Sequence, residues 1–233
     1  PPPTAPVGVP TASPIPPGRW TRSVRNWTGS GSARAPQDST DSDASRRATI
    51  VPNQRMIDKA ETQDEAAAYV PLMDTCIEAV AEVGLEPVLL VHEADDDTLA
   101  ARIQERVERE VPIRQSPDPV ALKRFLGESQ LVVGSRFHAL VGALSQGVPA
   151  IGTSWSHKYE RLFEEYRCPD MLVSVSASRE RVKACVSAAV GEQRIPLTDR
   201  IRTAAAQLKQ KTKSMWHAVD DLVFEATSPE RDE

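Results

Sequence analysis

The sequence predicts an α/β fold, a Rossmann-like three-layer sandwich with helices on both faces of a mainly parallel sheet. Two observations point there. From residue 48 onward short apolar runs alternate with stretches of helical period, the pattern of βαβ units. Runs such as Val88-Leu89-Leu90-Val91 and Leu131-Val132-Val133 are apolar without alternation, as strands covered on both faces require.

The elements follow in order. Residues 48–51 predict a first strand. Thr62-x-x-Glu65 is a capping box that opens a helix running to residue 83, with Gly84 just past its end. Residues 87–91 predict a buried strand. The acids at 95–97 start a helix over 95–110, since carboxylates favour a helix N-terminus. A third strand is predicted over 111–113. Asp118-Pro119 caps a short helix that stops at Gly127. A fourth strand is expected over 130–133, a helix over 136–146 closed by Gly147, a fifth strand over 148–151 and a helix over 157–166. A sixth strand over 171–175, a helix over 178–190 and a long amphipathic helix over 198–224 complete the domain. The fourth and fifth strands should be parallel neighbours, because a short right-handed crossover joins them.

Residues 1–47 have a different texture. Eight of the first seventeen residues are Pro, and Ser, Thr, Gly and six Arg fill much of the rest. With so little to bury, this segment is expected to be a disordered Pro/Ser-rich arm. The domain is expected over 48–227, and a polar tail over 228–233. The start at Pro1-Pro2-Pro3 lacks the charged and apolar regions of a signal peptide, and also lacks a Met, so the true start is expected upstream.

The chain carries a net charge of −5, is 40% hydrophobic and 26% charged. That balance suits a protein with a real core and gives no global attraction to nucleic acid or anionic lipid, so no nucleic-acid partner is expected. The three cysteines are far apart and form no CxxC, which argues against a zinc site and a disulfide framework and fits a reducing compartment. No apolar run reaches the ~18 residues that span a bilayer.

In an open α/β sheet ligands bind at the carboxyl ends of the strands. The residues there are Asn53, Gln54 and Arg55 after the first strand, and His92 and Glu93 after the second. Gly134-Ser135-Arg136-Phe137-His138 follows the fourth, and Thr153 to Lys158 follows the fifth. These tips are polar and mostly cationic in an acidic chain. Gly134 lets the backbone turn and approach a ligand. Ser135 occupies the expected N-cap, where free amides favour an anion. Arg136 offers a fork suited to carboxylate or phosphate, and His138 can transfer a proton near neutral pH. The alternative is that Arg136 pairs with a nearby carboxylate and His138 merely starts a helix. Ser156, His157 and Lys158 add amides, an imidazole and an ammonium to the same rim. Trp155 could stack on a sugar or cover the core edge.

Residues 132–166, VVGSRFHALVGALSQGVPAIGTSWSHKYERLFEEY, resemble the C-terminal motif block of the polysaccharide pyruvyl transferase family. The pattern is Arg-x-His, an apolar helix with small residues, Gly-x-Pro, then Ser-x-Lys before a helix. Arg136, His138, Gly147, Pro149, Ser156 and Lys158 fall on it. Ile50-Val51-Pro52-Asn53 resembles the strand that opens the family's C-terminal half, and the likeness extends over about residues 48–225.

The resemblance implies one half of a GT-B-like fold. It implies a transferase that moves the pyruvyl (carboxyethylidene) group of phosphoenolpyruvate to sugar hydroxyls of a surface polysaccharide or its lipid-linked precursor, forming a pyruvate ketal. Arg136 and His138 would be catalytic. Ser135, Arg136, Phe137, Ser156, His157, Lys158, Asn53 and His92 would bind substrate. No metal and no cofactor beyond phosphoenolpyruvate as donor substrate are expected. The implied place of work is the cytoplasm, either free or at the inner face of the membrane. The implied partners are phosphoenolpyruvate, a glycan or lipid-linked sugar acceptor, and either a separate N-terminal half or a homo-oligomer. The family's Gly-rich N-terminal half does not precede residue 48. Two other readings therefore stand: a GT-B-type glycosyltransferase using a nucleotide sugar, and a truncated non-catalytic half that needs a partner. The lack of any acid over 136–150 weighs against the first.

Overall fold

The computed structural model describes the backbone of residues 24–26, 46–153 and 156–227, and the side chains of 46–153 and 156–223. The rest of the expected arm, Ser154, Trp155 and the tail 228–233 lie outside the described residues.

Among the described residues seven strands form one sheet: β1 (Val24–Asn26), β2 (Arg47–Val51), β3 (Glu86–Val91), β4 (Ile113–Gln115), β5 (Leu131–Gly134), β6 (Ala150–Thr153) and β7 (Leu172–Val173). Their order is β1-β4-β3-β2-β5-β6-β7, and every neighbouring pair is parallel. β5 and β6 are adjacent and parallel as expected. Strand β1 falls within residues 1–47 and pairs in parallel with β4.

The helices are α1 (Arg55–Asp58), α2 (Gln63–Glu82), α3 (Asp97–Arg106), α4 (Pro119–Gly127), α5 (Phe137–Leu144), α6 (His157–Glu165), α7 (Arg179–Val190) and α8 (Arg194–Thr227). Short 3₁₀ turns span Ala94–Asp96 and Pro169–Met171. From β2 the chain winds outward through β3 to β4, then returns and winds the other way through β5, β6 and β7. Right-handed crossovers running in opposite directions put helices on opposite faces. α2 packs on α7 and α3, and α4 packs on α5. The core between them is aliphatic: Ile50, Leu89, Leu90, Leu131, Val132, Val133 and Ile151 are at most 1% exposed.

Local chemistry explains most boundaries. Thr62 accepts from the Glu65 amide at 3.2 Å, Asp118 accepts from the Val120 amide at 2.9 Å, and the Ser178 hydroxyl accepts from the Arg181 amide at 3.3 Å. Gly84 and Gly147 each have φ +80°, the left-handed turn that closes α2 and α5. Strands β4 and β6 begin two residues later than expected. Pro112 and Pro149 have no N–H for the ladder, and each only lends its carbonyl, to Leu89 and Val132 respectively. The third helix stops at Arg106 rather than residue 110, because Val107 turns to extended backbone at ψ 139° and is itself buried. Helix α8 begins four residues early, and Pro196 fits its first turn, where no intrahelical donor is needed.

Candidate functional site

Strand order reverses between β2 and β5, and the crevice outside their carboxyl ends is where such sheets hold ligands. A cleft of about 250 Å³ lies there, lined by Asn53, Arg55, His92, Glu93, Arg136, Phe137, His138, Lys158 and Tyr159. The tips of β2, β3, β5 and β6 thus meet at one place.

A buried polar layer fixes these tips. The Asn53 Nδ2 donates to the Ser135 carbonyl at 2.9 Å, and the Asn53 amide donates to the Tyr69 hydroxyl at 2.9 Å. Tyr69, on α2, shares a 2.8 Å hydrogen bond with the Ser135 hydroxyl, which also meets Thr153 at 2.5 Å. Tyr159 donates from α6 to the same Ser135 carbonyl at 2.6 Å. Burial pushes the Tyr69 phenol above its usual range, against the lowering effect of its Ser135 and Asn53 hydrogen bonds. The phenol therefore stays protonated and serves as a structural donor and acceptor.

Arg136 stands next to this layer and is 5% exposed. Its Nε and Nη2 donate to the Asp96 carboxylate at 2.7 and 2.6 Å, and its Nη1 is 2.5 Å from Glu93 Oε2. Asp96 is fully buried and also accepts from the Gln54 amide at 2.9 Å. Burial alone would lower the guanidinium pKa. Hydrogen bonding and charge from Asp96, followed by Glu93, more than offset that and hold it above its ordinary value. The fork that the sequence offered to a ligand is thus occupied by Asp96. Only the Nη1 side faces an exchangeable group, since Glu93 is half-exposed.

The other basic side chains are less committed. Arg55, His138 and Lys158 are exposed at the cleft, without a carboxylate partner among the described residues. Lys158 Nζ lies 5.2 Å from the Phe137 and Tyr159 ring centroids. Phe137 meets Tyr159 edge-on at 5.5 Å and His138 at 6.0 Å. Helices α5 and α6 point their N-termini here. Neither has a side-chain cap among the described residues, unlike α2, α4 and α7, and a helix N-terminus of this kind favours an anion. His92 Nδ1 is buried without a hydrogen-bond partner among the described residues, and burial lowers the ring's pKa, with Glu93 acting in the opposite direction.

Of the residues expected to form the site, Asn53, His92, Arg136, Phe137, His138 and Lys158 converge on the cleft. Three do not line it. Ser135 is fully buried beneath it and is not the N-cap, a place taken by Arg136, because its hydroxyl is held by Tyr69 and Thr153. Ser156 caps the backbone of α6 outside the lining. His157 is fully exposed and pairs with Glu160 at 3.1 Å. Gly134 also differs from expectation. A Cβ there would stand 2.5 Å from the Val51 carbonyl oxygen, so glycine serves the close approach of β5 to β2 rather than of backbone to ligand. Sequence reading gave no site role to Tyr69 or Tyr159, took Asp96 only as a helix-starting acid, and named Arg55 as a strand-tip residue without assigning it to substrate. Asp96 sat among three acids of which any could open a helix, and the tyrosines were indistinguishable from core.

Among the described residues there is no group of three His, Cys, Asp or Glu side chains placed to hold a metal ion. No helix there is long and apolar enough to cross a membrane. Cys76, Cys168 and Cys185 are free and buried.

No curated protein matches the chain. Among solved structures it is similar to a Listeria monocytogenes protein assigned as a UDP-N-acetylglucosamine 2-epimerase, at 14% identity and a TM-score of 0.50, covering 82% of this chain and 48% of that one. It is also similar to the glycotransferase of kitacinnamycin, at 14% identity and TM-score 0.47, covering 77% and 43% of the two chains. Staphylococcus aureus MnaA with UDP gives 10% identity and TM-score 0.47 over 76% and 46%. The chain spans about half the length of these structures. The likeness is one of fold, that of one half of a GT-B-like α/β protein. Residues 37–157 match the polysaccharide pyruvyl transferase family, a stretch that holds every cleft residue except Lys158 and Tyr159 and more than half of the chain, and the chain belongs to that family.

Proposed function

We propose that the cleft binds phosphoenolpyruvate and that this domain is the donor-binding half of a transferase that builds a pyruvate ketal on two sugar hydroxyls. One observation carries the reading: three cations, Arg55, Arg136 and Lys158, and a single carboxylate, Glu93, line a cleft onto which two uncapped helix N-termini open. A small dianionic or trianionic ligand suits such a site.

In this reading the ligand carboxylate takes the place of Glu93 on Arg136 Nη1, while Lys158, Arg55 and the α5 and α6 amides hold the phosphate. His138, exposed at the mouth, gives a proton to the methylene carbon. That carbon becomes a methyl group and C2 becomes electron-poor. One sugar hydroxyl adds to C2, and a second displaces phosphate by breaking the C2–O bond. Of the two hydroxyl protons released, one balances the proton taken by the methylene carbon and the other leaves with phosphate. The buried layer of Asn53, Ser135, Tyr69 and Tyr159 keeps the strand tips fixed while this happens.

Titration calorimetry of the chain with phosphoenolpyruvate, inorganic phosphate, pyruvate and a UDP-sugar tests the reading. Phosphoenolpyruvate should bind most tightly, and Lys158→Ala and Arg55→Ala should each weaken it about tenfold, as for a lost charge-assisted contact. Binding of the UDP-sugar alone, or binding that ignores both substitutions, would sink it.

A further inference from the structure

The amino edge of the sheet, opposite the cleft, carries a second groove of about 320 Å³. Residues 127–130, between α4 and β5, form one wall, and residues 146–149, between α5 and β6, form another. Helix α8 closes it with Arg194, Thr198 and Arg202. These three stand four residues apart, so they share one face of the helix.

The charges here are not balanced. Arg194 spends its Nη1 on the Gln130 and Ala189 carbonyls, at 3.0 and 3.3 Å. Neither Arg194 nor Arg202 has a carboxylate partner among the described residues, and burial, with Arg202 adding to it, lowers the Arg194 pKa. Glu128 also lines the groove, but Arg124 engages its carboxylate at 2.8 Å and Arg47 at 3.6 Å. Helices α4 and α5 end at the groove, and each C-terminus supplies about half a negative charge. Two guanidiniums exceed that by about one positive charge. Arg202 is exposed, yet its stem has a fixed path. A Cβ on Gly147 would stand 2.6 Å from Arg202 Cγ and 3.1 Å from its Nε, so the bare glycine lets the arginine cross the α5–β6 turn.

Thr198 is an independent sign of a ligand. It is 9% exposed, and its Oγ1 is buried with no hydrogen-bond partner among the described residues. A helical threonine ordinarily turns that hydroxyl to a carbonyl one turn back. Leaving a buried hydroxyl unpaired costs free energy that an acceptor brought by a ligand would recover.

We propose that this groove is a second anion site, which holds the phosphate group of a small soluble ligand between Arg194 and Arg202. Two guanidinium forks suit the oxygens of a phosphate. On binding, Thr198 turns about χ1 and its hydroxyl donates to a third oxygen. The site is at the far end of the sheet from the cleft and does not depend on what fills the cleft.

Thermal melts of the full chain test this, in a background of Arg55→Ala with Lys158→Ala that silences the cleft. Inorganic phosphate and glycerol phosphate are compared with sodium chloride at equal ionic strength, and the two phosphates separate a free ion from a monoester as the ligand. At about ten times Kd, at least one of them should raise Tm by roughly 3–6 °C over chloride. Arg202→Ala should weaken that binding about tenfold, and it should fold normally because the side chain is exposed. Thr198→Val should raise Tm without phosphate, since it removes an unpaired hydroxyl, and should shrink the rise that phosphate gives. A purely structural threonine would leave that rise untouched. Equal melts in phosphate and chloride overturn the proposal, as does a phosphate effect that survives Arg202→Ala or Thr198→Val.

Discussion

The Arg136 guanidinium grips the Asp96 carboxylate through two hydrogen bonds, Nε to Oδ2 at 2.7 Å and Nη2 to Oδ1 at 2.6 Å, with Asp96 fully buried. Asp96 also receives the Gln54 amide, so one carboxylate ties the tips of β2, β3 and β5. Removing one partner of a buried pair leaves an uncompensated charge, typically costing about 3–5 kcal/mol. Asp96→Ala should therefore lower Tm by roughly 10 °C. Replacing both, with Asp96→Leu and Arg136→Met, should cost less than the sum of the single changes. Thermal melts of the four species check this, and additive losses would show that the pair does not act as a unit.

Glu93 competes for the cleft's cations, because its carboxylate contacts Arg136 Nη1 while remaining half-exposed. Glu93→Gln removes that negative charge and frees Nη1. Phosphoenolpyruvate should then bind the variant more tightly than the wild type, by about threefold to tenfold, most clearly at low salt. Calorimetry at two ionic strengths measures the change. Weaker binding would show that Glu93 orients the ligand instead.

His138 sits exposed at the cleft, near Phe137 and clear of the buried layer. His138→Gln should leave phosphoenolpyruvate affinity within about twofold, since glutamine still hydrogen-bonds. On the proposed function, ketal formation should fall by about 10²-fold or more in any assay that the wild-type chain supports, since glutamine cannot shuttle a proton. Paired measurements of affinity and product separate this role from simple binding.

His92 gives a pH signature to the fold. Its ring is partly buried, its Nδ1 has no partner among the described residues, and burial holds its pKa below the ordinary 6.5. Above pH 6.5 the ring is neutral in both folded and unfolded chains, and the shift contributes nothing. As pH falls below that value the unfolded chain takes up a proton that the folded chain resists, so stability drops until the folded pKa is passed. His92→Gln should flatten this loss in urea melts between pH 7 and pH 5. Equal pH slopes for wild type and variant would show that other groups dominate.

The parallel sheet, most of its helices and the convergence of four strand tips were legible in the sequence. Apolar runs without alternation, caps such as Thr62, Asp118 and Ser178, and stops such as Gly84 and Gly147 are local signals with local causes. The likeness carried by residues 132–166 pointed to Arg136, His138 and Lys158 as neighbours, and they line one cleft.

What the sequence by itself determined was therefore which residues reach the carboxyl edge of the sheet. What only the tertiary structure decided was how their charges are spent. Arg136 faces Asp96 across forty residues of chain, and Ser135 meets Tyr69 across sixty-six. No periodicity or spacing encodes such pairings, because a carboxylate's partner depends on which strand ends fold together and how deeply they are buried. The same limit explains His157, whose place beside Lys158 suggested a ligand. A residue's neighbour along a helix points about 100° away, and that rotation turns His157 to solvent while Tyr159, two residues on, turns inward to Ser135.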